Sequence, residues 1–135
     1  MRLFIDTGAF IALTDADDEN HIAAKTFFKN SVEQGTKFIA TNYVICETMN
    51  YLRAKVSHKV SVIFWENLKK SGFFEIINIS PSLENAAFGI FRQYADKDFS
   101  FTDCTSFSAM KSLRLNKAFA FDKHFDQYDN FTRLP

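Results

Sequence analysis

Apolar residues along this chain fall into two kinds of run. Short, nearly unbroken runs at residues 2–5 (RLFI), 37–41 (KFIAT), 73–79 (FFEIINI), 117–122 (KAFAFD) and 130–134 (NFTRL) have the length and composition of strands buried on both faces. Between them the apolar positions recur at helical spacing. Ile22, Ala23, Phe27, Phe28 and Val32 share one face, as do Val44, Ile45, Thr48, Tyr51 and Leu52, and later Phe107, Met110, Leu113 and Leu115. Residues 7–15 (TGAFIALTD) form a short helical turn, and KHFDQY at 123–128 a second one. Asn20 and Thr41 are N-cap candidates, Pro81 follows Ser80 at a helix start, residues 100–102 supply further caps, and Gly35 and Gly72 are stops. A helix over 57–71 and another from 81 to about 94 complete the pattern.

The predicted order is β-α-α-β-α-α-β-α-α-β-α-β. Strands that alternate with helices and lack an inside–outside alternation imply a mostly parallel sheet of four to five strands. Such a sheet is covered on both faces, giving a three-layer α/β/α sandwich. The 135 residues suit a single domain spanning 1–135, with no repeat, long linker or low-complexity tract.

Charge narrows the function classes. Sixteen basic and sixteen acidic residues give a net charge of zero, so no global field draws the protein to nucleic acid. Binding to RNA or DNA then requires a local basic patch or metal ions. Arg53, Lys55 and Lys59 form one basic group and Lys111, Arg114 and Lys117 another, with Lys97 alone in a loop; solvated helix faces explain them as well. Seventeen phenylalanines recur at core spacing in nearly every segment and read first as packing. Cys46 and Cys104 lack metal-ligand spacing and read as small core residues, reduced in a cytoplasmic protein. Asp6 interrupts the apolar N-terminus, and no window reaches the roughly 18 apolar residues of a membrane span.

The chemistry lies in the acids. Two strand runs, RLFID and AFAFD, end in Asp6 and Asp122. In an open parallel sheet the carboxyl ends share one edge, where ligands bind, although a strand-end Asp also serves to cap the next helix. Glu47 lies two turns into a helix with Tyr43 and Tyr51 at i−4 and i+4, and no Lys or Arg to pair with. It is either a member of the same cluster or a solvated acid at the stripe edge. Asp103, within FSFTDCTSF, stands in the first turn of its helix, where the dipole favours negative charge by about 0.3–1 kcal/mol. Four carboxylates at one edge repel unless they protonate or bind cations. An all-oxygen set suits Mg2+ or Mn2+, and such metals suit phosphodiester hydrolysis. His124 follows Asp122 by two residues and reads as structural, and His21 and His58 as surface residues.

DTGAF after the first strand, NYVICET on the third helix, FSFTDCTSF, and FAFDKHF together resemble a PIN-domain protein of the small stand-alone VapC-like kind, over essentially the whole chain. The resemblance implies a metal-dependent endoribonuclease using Mg2+ or Mn2+. It places Asp6, Glu47, Asp103 and Asp122 as catalytic and metal-binding acids. It also places Thr7 and Thr102 as polar supports and Asp98 as a further acidic loop position. Asp126, about one helical turn beyond Asp122, is either an acid acting through water or a solvated one. The resemblance further implies a toxin with a cognate antitoxin, and a homodimer. A housekeeping RNA-processing nuclease and an inactive RNA- or protein-binding module of the same fold are the alternatives. A haloacid-dehalogenase-type phosphatase would need a second acid where Gly8 stands, and a signalling receiver domain would order its acids differently.

Overall fold

The computed structural model describes residues 1–135 and contains every expected element in the expected order. The strands are β1 (Arg2–Ile5), β2 (Lys37–Thr41), β3 (Phe74–Ile77), β4 (Lys117–Phe119) and β5 (Thr132–Leu134). The helices are α1 (Thr7–Thr14), α2 (His21–Glu33), α3 (Asn42–Lys55), α4 (His58–Lys70), α5 (Pro81–Gln93), α6 (Phe101–Ser112) and α7 (His124–Gln127). All five strands run parallel in one sheet of order β3-β2-β1-β4-β5. The chain therefore moves outward from β1 to β3, then crosses back to β4 on the other side of β1. That reversal opens a crevice between the carboxyl ends of β1 and β4, where open α/β sheets bind ligands.

Strand register sorts the phenylalanines into two layers. Leu3 pairs with Phe38, Ile5 with Phe119 and Phe38 with Phe74, which puts these residues on one face. There Phe27 packs on Phe119 (ring centroids 4.8 Å), Phe28 on Phe38 (5.3 Å) and Phe10 on both Phe64 (5.2 Å) and Phe74 (5.5 Å). This layer is built from α1, α2 and α4. Phe4 and Ala118, which pair with each other, point to the opposite face. Phe4 meets Phe125, which lies against Phe107 (5.3 Å), and Phe107 stacks on Tyr128 (4.6 Å) and takes the edge of Phe99 (5.0 Å). The second layer thus joins α6 and α7 to the sheet. The abundance of phenylalanine serves two aromatic layers, one per sheet face.

Side chains close the helix ends as the sequence leads one to expect. Thr41 Oγ1 accepts the Val44 N–H (3.2 Å), Ser57 Oγ the Val60 N–H (3.0 Å), and Ser80 Oγ the Leu83 N–H (3.2 Å) beside Pro81. Gly35 and Gly72 adopt left-handed φ values of 82° and 73°, as helix-ending glycines do. Asn20 stands at the start of α2, but its side chain makes no cap hydrogen bond.

Several expectations are corrected. The fourth strand stops at Phe119, because β5 ends opposite it, and Asp122 lies three residues further on in a turn. The third strand is limited to Phe74–Ile77, the stretch with partners on β2. Helix α6 ends at Ser112, where Arg114 turns left-handed (φ 58°), so Leu113 and Leu115 lie beyond it. Ile22 is 81 % exposed in the first turn of α2, and Ala24 takes the buried position. Tyr51 is exposed rather than inward, and so is Cys46. Cys104 is buried, and burial, with the Asp103 charge, pushes its thiol up to about 11, which makes it inert at neutral pH.

Candidate metal centre

Each acid is delivered by the backbone around it. Asp6 continues the ladder of β1, its N–H donating to the Phe119 carbonyl (3.1 Å), while its own carbonyl accepts from Ala9 (3.1 Å) and Phe10 (3.2 Å) to start α1. The residue is held from both sides, and its carboxylate does not cap the helix. It faces a recess at the crevice between β1 and β4 instead. Glu47 reaches the same recess from the middle of α3, whose first turn Thr41 caps at the end of β2. Asp103 comes from the first turn of α6. There Ser100 Oγ accepts the Asp103 N–H and Asp103 Oδ2 accepts the Ser100 N–H, both at 3.0 Å, in a reciprocal capping box. Asp122 is held in a turn by the His124 N–H, which donates to its Oδ1 (2.9 Å).

The recess has a volume of about 310 Å³ and brings together Asp6, Glu47, Asp103 and Asp122. Thr7, Gly8, Ile11, Tyr51, Ser100 and His124 complete its lining, and no Lys or Arg is among them. None of the four acids pairs with Lys or Arg elsewhere. Burial and the Asp103 charge, with smaller contributions from Glu47 and Asp122, push the Asp6 carboxyl up to about 8, although the Thr7 N–H pulls the other way. Burial likewise raises Asp103, against the Ser100 N–H and His124. A bound cation would relieve both. Thr7 Oγ1 is a buried hydroxyl with no hydrogen-bond partner, and a site this polar seldom leaves such an atom unmatched. Oxygen donors, uncompensated negative charge and an orphan hydroxyl together fit a hard divalent cation.

The remaining candidates lie elsewhere. Thr102, next to Asp103, is half-buried, and its carbonyl accepts from Thr105 Oγ1 (2.6 Å). Asp98 is exposed beside Phe88, Phe91 and Arg92, in a depression separate from the acid recess. Asp126 is occupied by Arg133, with its Oδ2 2.6 Å from Nε and its Oδ1 accepting the Arg133 N–H (2.9 Å). Arg133 also donates to the Phe121 carbonyl, so Asp126 braces the turn that carries Asp122.

Two residues of the recess with chemistry of their own, Tyr51 and His124, stand outside the set of acids and threonines expected from sequence. Helical periodicity places Tyr51 in the apolar stripe, although its place one turn after Glu47 also puts it beside that acid. His124 is structural by sequence alone, yet its Nδ1 lies 2.8 Å from Asp103 Oδ2 and 3.2 Å from Asp122 Oδ1. The available signal was its position two residues after a turn-forming Asp, which curls the chain back on itself. A larger groove of about 760 Å³, lined by Phe10, Phe28, Ile63, Phe64 and Phe74, shares no residue with the recess. It is apolar, and chemistry rather than size distinguishes the two.

Known proteins show the same arrangement of strands and helices. VapC20 of Mycobacterium tuberculosis strain H37Rv, a 23S rRNA-specific endonuclease, is 27 % identical over 123 residues, 91 % of each chain. Its crystal structure, described as that of a sarcin–ricin loop cleaving toxin, superposes with a TM-score of 0.85 over 93 % of both chains at 26 % identity. VapBC2 of Rickettsia felis, bound to a promoter DNA fragment, gives 0.75 at 9 % identity over 99 % of this chain and 98 % of that one. FitAcB of Neisseria gonorrhoeae gives 0.70 at 13 % identity, over 100 % and 97 % respectively. These last two show the fold alone. The PIN-domain family profile matches residues 3–130, a span that holds β2, β3, β4, nearly all of β1 and every acid of the recess, and stops just before β5. With profile, sheet order and recess in agreement, the chain belongs to the PIN-domain family.

Proposed function

We propose that this protein is a metal-dependent endoribonuclease that hydrolyses RNA phosphodiester bonds, and that it is the toxin of a toxin–antitoxin pair. The observation that carries the reading is the recess of four carboxylates without a Lys or Arg counter-charge. Asp6, Glu47 and Asp103 would hold one divalent ion, Mg2+ or Mn2+, directly or through water. Asp122 completes the set, by supporting a second ion or by orienting the attacking water. When bound, the metal lowers the pKa of a coordinated water and offsets charge on the phosphate. The chain itself fixes the carboxylates at the end of β1, on α3, at the start of α6 and in the turn after β4. Thr7, whose hydroxyl is buried beside Asp6, acts as a polar support. Tyr51, 40 % exposed at the mouth, offers a face on which a flanking base stacks. The likeness to VapC20 supports ribosomal RNA, and its sarcin–ricin loop in particular, as the first substrate to try.

An antitoxin is the proposed protein partner. The 760 Å³ apolar groove, with Lys25 and Lys29 on its wall, suits an apolar segment carrying acidic flanks. Phe88 and Phe91, about half exposed on α5, give a homodimer an apolar strip to cover. No helix is long and apolar enough to cross a membrane, and the cytoplasm, where ribosomes are, is the proposed place of action.

The purified chain, offered a sarcin–ricin loop oligonucleotide and unrelated RNAs, is expected to cut with Mg2+ or Mn2+ and to stop with EDTA. Cleavage indifferent to EDTA, or none with either metal, sinks the nuclease reading. Sequencing of RNA ends after induced expression identifies the natural site. Sedimentation velocity on the same preparation is expected to give a dimer that the double variant Phe88→Asp/Phe91→Asp dissociates. An unchanged sedimentation coefficient in that variant rules out α5 as the contact.

A further inference from the structure

Two of the four acids are tied together by a third side chain. His124 Nδ1 lies between Asp103 Oδ2 (2.8 Å) and Asp122 Oδ1 (3.2 Å), joining the start of α6 to the turn after β4. The ring is held edge-on against Phe99 (5.5 Å, 83°) and is only 14 % exposed. A nitrogen this close to a carboxylate oxygen is a donor, so the hydrogen sits on Nδ1. The same two oxygens are engaged a second time. Asp103 Oδ2 also accepts the Ser100 N–H (3.0 Å), and Asp122 Oδ1 also accepts the His124 N–H (2.9 Å). A carboxylate oxygen offers about two acceptor sites. At Asp103 Oδ2 both are used, by the Ser100 N–H and the ring Nδ1–H, whereas Asp122 Oδ1 accepts the His124 backbone N–H and has Nδ1 beside it at 3.2 Å. Oδ1 of Asp103 and Oδ2 of Asp122 are the oxygens left for other partners.

We infer that His124 is a positioning residue of the metal centre, whose Nδ1–H pins Asp103 and whose backbone N–H pins Asp122, so that Asp103 Oδ1 and Asp122 Oδ2 are the oxygens presented to a divalent cation. The inference rests on the nuclease reading above, and extends it to a group outside the carboxylate set. Asp103, Asp122 and His124 also lie close enough, with donor atoms within 4.8 Å of one another, for the imidazole itself to be a ligand. The hydrogen bond to Asp103 excludes Nδ1 as that ligand, because its lone pair is taken up by the hydrogen; Nε2 keeps its own, and the 14N measurement below tests it. Groups that orient metal-binding side chains typically change metal affinity by about 10- to 100-fold when removed.

The test is Mn2+ binding by electron paramagnetic resonance, with the whole chain and no RNA. Asn places an amide N–H where Nδ1 stands, whereas Gln places one near Nε2. His124→Asn is expected to bind Mn2+ within a few-fold of wild type, and His124→Gln and His124→Ala to bind about 10- to 100-fold more weakly. In cleavage assays the Ala loss should appear in kcat and be restored by Asn. Wild-type protein loaded with Mn2+ should show no directly bound 14N in electron spin echo modulation, a measurement that needs no folded variant. Equal Mn2+ affinity in the Ala variant, an Asn variant as weak as Ala, or a strongly coupled 14N overturns the assignment while leaving the nuclease reading intact. A folded wild-type protein that binds no Mn2+ overturns both.

Discussion

Asp103→Asn is expected to lower RNA cleavage by about 10³-fold or more while the protein stays folded, because a metal contributes several kcal/mol to the transition state. The substitution separates the two tasks of this side chain. The oxygen of Asn can still accept the Ser100 N–H, so the reciprocal cap at the start of α6 survives. The other position becomes an NH2 group, which has no lone pair for a cation. Removing the carboxylate also removes a charge whose burial is unfavourable, since Asp103 is shifted upward in the fold. Thermal unfolding in EDTA should therefore show the variant at least as stable as wild type. Cleavage by a folded Asp103→Asn protein at the wild-type rate would contradict the site. So would loss of activity that merely tracks loss of fold.

The four acids could be gathered from sequence because topology does most of the gathering. A strand run that ends in Asp6, and a later one followed closely by Asp122, lie at one edge once the sheet is parallel. The chain reversal about β1 makes them neighbours. Ser100 and Asp103 announce their own helix start, three residues apart. Harder to read was anything that depends on what covers a helix. The periodicity of α3 places Tyr51 with Leu52 and Thr48, yet Tyr51 lies where the sheet edge opens into the recess and nothing packs over it. Ile22 fails for a related reason, since nothing covers it in the first turn of α2, where Ala24 takes the buried position. His124 was illegible because its role arises from a turn. The Asp122 carboxylate folds the chain so that the next side chain but one returns to the acid from α6, twenty-one residues away. Hydrophobic patterning carries no information on such a reversal.

Without metal, the protein should lose stability as pH rises from about 4 to about 8, and Asp6→Asn should abolish most of that loss. An unfolded Asp6 titrates near its ordinary 3.8, whereas the folded carboxyl holds its proton up to about 8. Between those values the folded state binds more protons than the unfolded one, so the unfolding free energy falls with rising pH. The loss begins above the unfolded value and is complete once pH passes the folded one. Its size is on the order of several kcal/mol, given about 1.4 kcal/mol for each pH unit of displacement. Asp103, shifted in the same direction, adds to it. Asn at position 6 fills the same buried space without an ionisation to suppress, so urea denaturation in EDTA should find that variant more stable than wild type at pH 8. Metal reverses the slope for wild type, because a divalent cation favours the ionised form that burial opposes. Added Mn2+ should raise the unfolding midpoint more at pH 8 than at pH 6, and do so far less for Asp6→Asn. Wild-type stability that climbs between pH 5 and 8 in EDTA would mean that these carboxylates are already compensated without metal. The argument for a cation in the recess would then fail on its central premise: that this fold keeps buried negative charge which only a bound ion makes tolerable.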